Sequence, residues 1–325
     1  MGELYRMQKN TDNENKLLDV ASFCIENGVL AMGWSLKNSH LFREDEEPDI
    51  EKTERRALIK SFDDYERFIN DFCPYKSKSK VNENVQRLYD MKKDDLVWIR
   101  NKGVYYLGRV MENSQYNYDA SKEMLDADAS NQRDNIEWYR VGEEGNVPGG
   151  IATSFIRGKT LQRINKEGML QFSQLKFNEL SKRQHYSVAL SYGKDTFYSL
   201  FSTADCEDLL CLWLYQKYGY ICIPSTSKVS TELYECVLIN PKNGENVFPQ
   251  AKDGEVSLEV SDYTHLNGEC WLFTTKGRII GTPTENVKVA NPDELFSFVE
   301  DPKNRVLLNQ TSILKWFDYM KENSK

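Results

Sequence analysis

Apolar positions recur along the chain at two spacings, and the changes between them mark out its elements. Leu17, Val20, Ala21 and Cys24 share one face of a predicted helix that Asn27-Gly28 ends, and Val29 to Trp34 is a short apolar strand. Residues 44–80 are charged but carry Phe62, Tyr65, Phe68, Ile69 and Phe72 as a helical stripe, which Pro74 breaks. Asp95–Arg100 and Val104–Val110 alternate about Asn101-Lys102-Gly103, which predicts a hairpin with a three-residue turn. Residues 112–133 read as a polar excursion, Asn135–Val141 as a strand, and Gly142–Gly150 as a turn-rich loop. Ile151–Ile164 closes this half, which is expected to be a compact β-barrel with helical decoration over residues 1–165.

Residues 166–199 read as a linker with a helical stretch at Leu175–Ser181. Ser202-Thr203 then opens a helix with Asp205, Glu207 and Asp208 near its positive end. Cys206, Leu209, Leu210, Trp213 and Leu214 make its buried face, and Tyr218-Gly219-Tyr220 stops it. Ile221–Ile223, Tyr234–Ile239, Glu245–Lys252, Cys270–Thr274 and Arg278–Ile280 follow as strands, and Pro292–Val299 and Ile313–Met320 as helices. Residues 200–325 are therefore expected to form an α/β domain, and the whole chain to be α+β or α/β.

The chain has 325 residues, enough for two ordinary domains, and is 40% hydrophobic and 28% charged, as globular proteins are. It has no apolar run of membrane-spanning length, and its polar first 20 residues lack a signal core. The seven cysteines are irregularly spaced with no Cys-x-x-Cys pair, which argues against a zinc ribbon or a disulfide framework. A cytoplasmic protein with reduced, mostly buried cysteines is the expectation.

The net charge of −8 is unevenly spread: −7 over residues 1–145, +5 over 146–199 and −6 over 200–325. A polyanion footprint would centre on the basic stretch, with Arg157, Lys159 and Arg163 as phosphate contacts. The alternative is a basic connector that relieves repulsion between two acidic domains. Lys76-Ser-Lys-Ser-Lys80 is a second basic run, either a phosphate contact or solvated surface.

The sharpest chemistry lies in Glu207, Glu235 and Gln250-Ala-Lys252. Strand alternation puts Gln250 and Lys252 on one face. Carboxylates that hold Mg²⁺ (or Mn²⁺) beside a lysine make a workable site for phosphodiester hydrolysis, with Lys252 orienting the water or the phosphate.

The run Thr203-Ala-Asp-Cys-Glu-Asp-Leu-Leu, then Tyr218-Gly-Tyr220, Glu235 and Gln250-Ala-Lys252 resembles the Mrr-type restriction endonuclease domain of the PD-(D/E)xK superfamily. The resemblance spans about residues 200–275 and implies a nuclease fold with Glu207 and Glu235 as metal ligands and Gln250 and Lys252 completing the site. Two features depart from the family's pattern. Its metal-binding Asp is replaced by Glu235, with Glu232 as a competitor, and Pro249 removes a strand donor just before Gln250.

Gly28-Val-Leu-Ala-Met-Gly-Trp34, Leu88 to Trp98, and Tyr105-Tyr-Leu-Gly-Arg-Val110 resemble EVE-like modules, PUA-related barrels similar to the YTH readers. This resemblance implies that a flipped or modified base is held by aromatic side chains, with Trp34, Trp98, Tyr105, Tyr106 and Trp138 as candidates. Aromatics at strand spacing also serve as core, and alternation keeps Tyr105 and Tyr106 from facing one pocket. The two modules in this order are similar to predicted bacterial restriction endonucleases, which implies DNA as partner and defence against foreign DNA as role. A homodimer or accessory defence proteins would fit the same reading.

Other chemistries lack their residues. The three histidines are isolated, and there is no Gly-x-Ser-x-Gly elbow and no Walker-type glycine loop. The expectation is a Mg²⁺-dependent DNA endonuclease guided by a base-reading module. Its rivals are a nucleic-acid reader that keeps the nuclease fold as a scaffold, and a protein-binding subunit.

Overall fold

The computed structural model describes residues 2–8, 18–36, 50–73, 78–156, 158–226, 233–234 and 236–324. The chain divides into two compact units, the first of residues 1–147, 151–165 and 172–187, the second of residues 148–150, 166–171 and 188–325. The basic stretch 166–199 is divided between them.

Through residue 187 the elements in chain order are β1 (Leu4–Met7), α1 (Val20–Asn27), β2 (Leu30–Met32), α2 (Ile50–Ala57), α3 (Phe62–Phe72), α4 (Lys78–Asp90), β3 (Leu96–Asn101), β4 (Val104–Val110), β5 (Tyr116–Tyr118), α5 (Lys122–Asp126), β6 (Asn131–Arg133), β7 (Ile136–Gly142), α6 (Gly149–Ser154), β8 (Leu161–Arg163) and α7 (Met169–Ser181). One sheet runs β7-β4-β3-β1-β8, with β1 parallel to β3 and the other neighbours antiparallel. A second runs β2-β6-β5, so the polar excursion of residues 112–133 supplies two strands and α5. Among the described residues these are two open sheets and not one closed barrel.

Local chemistry explains the boundaries. The Asp19 carboxylate accepts from the Ala21 and Ser22 amides at the start of α1, and Gly28, at φ 64°, turns its N–H back to Cys24 O. Leu17 lies outside the described residues, while Val20, Ala21 and Cys24 are buried as the period requires. The β3–β4 loop holds two residues, not three: Asn101 pairs with Val104, and Lys102 and Gly103 both take positive φ. That is the turn whose twist suits a hairpin, and it makes Asn101 a strand residue. Residues 78–80 of the basic run open α4; residues 76 and 77 lie outside the described residues.

From residue 188 the elements are α8 (Lys194–Ser199), α9 (Thr203–Tyr218), β9 (Ile221–Cys222), β10 (Leu238–Ile239), β11 (Asn246–Lys252), β12 (Leu258–Glu259), β13 (Glu269–Thr274), β14 (Ile279–Ile280), β15 (Val287–Val289), α10 (Pro292–Glu300) and α11 (Ser312–Asn323). The sheet order is β15-β13-β11-β10-β9. The strands β9, β10 and β11 form an antiparallel meander, and β13 and β15 then add in parallel. The predicted strand at 278–280 pairs with β12 in a separate ladder, while β15 completes the main sheet. A capping box opens α9: Ser202 Oγ accepts from the Asp205 amide, and Asp205 accepts from the Ser202 amide. Gly219, at φ 76°, ends the helix.

Helix α9 covers one face of this sheet. Trp213 meets Trp271 of β13 edge-on, with ring centroids 5.3 Å apart. Trp271 pairs with Pro249, so this is the face of Val247, Pro249 and Ala251. On the opposite face Phe248, Cys270, Leu272 and Val287 pack with Leu258, Val260 and Tyr263 of the β11–β13 crossover. No described helix is long and apolar enough to cross a membrane.

Candidate functional site

In the second unit, Gln250 and Lys252 project from β11 onto the crossover face, opposite Leu272 and Thr274 of β13. Gln250 has 0% exposure, and neither its amide oxygen nor its amide nitrogen has a hydrogen-bond partner among the described residues. A buried amide without partners is costly, and such groups mark sites where something other than the fold sets the residue. Lys252 is half-buried at the end of the strand.

Glu207 is half-buried in the second turn of α9, on the helix that covers the other face of the sheet. The sheet thus separates the backbone of α9 from the Gln-x-Lys side chains. Beyond the carboxyl end of β11, Asp253 lies near enough to α9 to join burial, the larger cause, in raising the Cys206 thiol. Asp253 itself receives Lys166 Nζ at 2.9 Å, and Thr275 Oγ1 accepts from the Gly254 amide at 2.8 Å. Polar groups therefore collect where parallel strands β11 and β13 end, the usual ligand-binding edge of such sheets. Lys166 and Asp253 had no signal in the sequence beyond the adjacency of Asp253 to Lys252. Glu235 and Glu232 lie outside the described residues. Among the described residues, no group of three or more His, Cys, Asp or Glu side chains is arranged to hold a metal ion.

In the first unit the five candidate aromatics divide by strand face. Trp98 and Tyr105, both at 0% exposure, lie on the face opposite Val97 and Ile99. Trp98 donates from Nε1 to Ser173 Oγ at 3.0 Å and stacks on Phe172, while Tyr105 meets Phe155 edge-on. Tyr106 and Trp138 take the other face. Trp138 donates to Val29 O at 3.1 Å and lies over Gly108, where an added Cβ would sit 2.6 Å from its ring. Trp34 packs half-buried against the same core as Trp138. The structure therefore groups Trp34, Tyr106 and Trp138 on one side and seals Trp98 and Tyr105 in the other.

The loop that carries Trp34 is held along four consecutive carbonyls. Asn131 Nδ2 donates to Gly33 O at 2.7 Å and the Tyr65 hydroxyl to Trp34 O at 3.1 Å. Arg56 donates from Nε to Ser35 O at 3.1 Å and from Nη2 to Leu36 O at 2.7 Å. The Asp128 carboxylate accepts from the Ser35 hydroxyl at 2.7 Å. Trp34 and Leu36 both sit at positive φ, 71° and 51°, where side chains other than glycine are strained. Such conformations persist only when the surroundings over-determine them, and they gather at binding sites. Sequence reasoning reached Trp34 but missed its holders, because Arg56, Tyr65, Asp128 and Asn131 come from separate elements.

Of the phosphate candidates, Arg157 lies outside the described residues. Lys159 pairs with Glu83 at 3.2 Å and Arg163 with Glu3 at 2.6 Å. Elsewhere in the basic stretch, Lys194 pairs with Asp293 at 2.6 Å. Carboxylates thus answer much of this charge within each unit.

Compared with models of known protein families, with curated protein sequences and with solved structures, the chain matches none.

Proposed function

We propose that this chain is a two-unit DNA-processing protein: the second unit hydrolyses phosphodiester bonds with Mg²⁺ or Mn²⁺, and the first reads a base, modified or unmodified. The observation that carries the proposal is Gln250, fully buried with both amide atoms unpartnered, two residues before Lys252 on the same face of β11. Its setting supports the reading. A helix, an antiparallel meander of three strands and a parallel fourth strand follow one another in the second unit, an order compatible with a nuclease-like domain.

In this reading the carboxylates of Glu207 and Glu235 are hard oxygen donors of the kind Mg²⁺ takes, and Gln250 and Lys252 complete the site. The bound ion would activate water and neutralise charge developing on the phosphate. Lys252 orients the attacking water or the scissile phosphate, and burial of Gln250 keeps bulk water from its amide. The first unit is taken as a PUA-like module, its two sheets the parts of an opened barrel. Trp34, on its braced loop, offers a stacking face to an unstacked base, with Tyr106 and Trp138 on the same side. Lys159 and Arg163 exchange exposed carboxylate partners for phosphate at small cost, since such surface pairs contribute about 0–1 kcal/mol.

A second reading, a DNA reader that keeps the nuclease fold without cleavage, is favoured by the apolar residues on the strand face of Gln250 and by Pro249 in β11. The two separate on plasmid DNA and base-modified phage DNA incubated with Mg²⁺ or Mn²⁺. The nuclease reading predicts nicking or linearisation that chelation stops and Lys252→Ala abolishes. Salt-sensitive binding without cleavage of any substrate would establish the reader instead.

A further inference from the structure

Three of the seven cysteines converge between α9 and the edge of its sheet. Cys222 in β9 opposes Leu238 in β10, and Cys236 precedes Leu238 by two residues. Alternation therefore turns both thiols to the face that Leu238 shares with Val247, the face α9 covers. The Ile223 amide donates to Val237 O, which carries the β9–β10 pairing back towards Cys236. Cys211 reaches in from α9, and its Sγ lies 3.8 Å from Cys236 Sγ. Cys236 lies two positions from the strand partner of Cys222, on the same face. The three are graded in access: Cys222 is exposed, Cys211 half-buried and Cys236 buried. The exposed thiol is thus connected through the buried one to the third.

We propose that Cys222, Cys236 and Cys211 are a thiol relay, and that hydrogen peroxide entering at Cys222 leaves an intramolecular Cys211–Cys236 disulfide. Cys222 sulfur attacks one peroxide oxygen, the O–O bond breaks, and a sulfenic acid and one water form. Cys236 sulfur then attacks the sulfenic sulfur and a second water leaves, giving a Cys222–Cys236 disulfide. Cys211 attacks Cys236 sulfur, the first disulfide breaks, and Cys222 departs and takes up the proton that Cys211 gives up. In sum, two thiols are oxidised to one disulfide and one peroxide is reduced to two waters. The final bond needs the two sulfurs to close from 3.8 Å to about 2.0 Å, the distance of a disulfide.

Burial, with Cys236 beside it, pushes Cys222 up to about 11. Contact with Cys236, then burial, holds Cys211 well above the ordinary thiol range. Both shifts favour the protonated thiols, which lets the sulfurs sit together without repulsion and makes the relay slow. The relay does not rest on the nuclease reading, although its product would tie α9, one turn beyond Glu207, to the residue that follows Glu235.

The test treats the full chain with hydrogen peroxide, quenches with an alkylating agent under denaturing conditions, and maps thiols by peptide mass. The expected product joins the Cys211 and Cys236 peptides, two hydrogens lighter than the reduced pair, with Cys222 alkylated. Cys222→Ser should slow its formation by about tenfold or more. Cys211→Ser should arrest the reaction at the Cys222–Cys236 bond. Over-oxidation of Cys222 with Cys211 and Cys236 still alkylated would overturn the proposal. So would a disulfide found only between two chains, or wild-type kinetics in Cys222→Ser.

Discussion

Trp213 on α9 and Trp271 on β13 meet edge-on at 5.3 Å, and this contact fixes which face of the second sheet the helix covers. Both rings are almost fully buried, and Lys217 sits over the Trp213 ring at 4.4 Å. Trp213→Ala should destabilise the second unit by about 3–5 kcal/mol, read as a shift in its denaturant midpoint. Trp213→Phe keeps an aromatic ring at the contact and should lose less than half as much.

Gln250 leads to the opposite expectation for stability. Its amide is buried without partners on the strand face it shares with Phe248 and Leu272, so an apolar side chain of similar length suits the site better than the native residue does. Gln250→Met should stabilise the second unit by about 1–2 kcal/mol, measured by thermal unfolding, and should lose cleavage. A loss of stability would mean that the amide has a structural role.

Glu269 ties three elements together. Its carboxylate accepts from Tyr220, from Trp271 and from Lys288. Burial alone would raise its pKa, but Lys288, Trp271 and Tyr220 together outweigh burial and lower it. A lowered folded value means that the stabilisation is complete above the unfolded glutamate range, about 4.3. It is lost as pH falls through the folded value. Glu269→Gln should therefore lower the melting temperature at pH 7 and flatten the acid limb of the melting-temperature profile below about pH 5.

Arg56 is the main brace of the Trp34 loop, with its head buried between two carbonyls and the Phe68 ring. Arg56→Ala leaves two buried acceptors unmet and should cost about 2–4 kcal/mol. It should also red-shift and broaden tryptophan emission if Trp34 gains water. Arg56→Lys should recover little, because a single ammonium cannot reproduce the two-pronged guanidinium contact.

How much the sequence reveals depends on how local each determinant is. The α9 face, its polar start at Ser202 and its Gly219 stop are written within 18 consecutive residues, and each stands where the pattern places it. The β3–β4 hairpin is equally local, and only the loop length differs, since Lys102 accepts positive φ and frees Asn101 for the ladder. The β2-β6-β5 sheet joins strands about 100 residues apart, and nothing in a polar excursion announces such a partner. The same holds for the site. Gln250 and Lys252 are legible from strand alternation, whereas the isolation of the Gln250 amide, the Lys166–Asp253 pair and the clasp on Trp34 arise only from folding.

The central claim, one unit reading and the other cutting, is tested most directly by measuring binding and single-turnover cleavage on the same base-modified duplex for wild type, Trp34→Ala and Lys252→Ala. The account predicts that Trp34→Ala weakens binding by about tenfold, the worth of one stacked base, and still cleaves at saturating protein. Lys252→Ala should bind as wild type does and cleave at least about a hundredfold more slowly. Wild-type cleavage by Lys252→Ala would contradict the account.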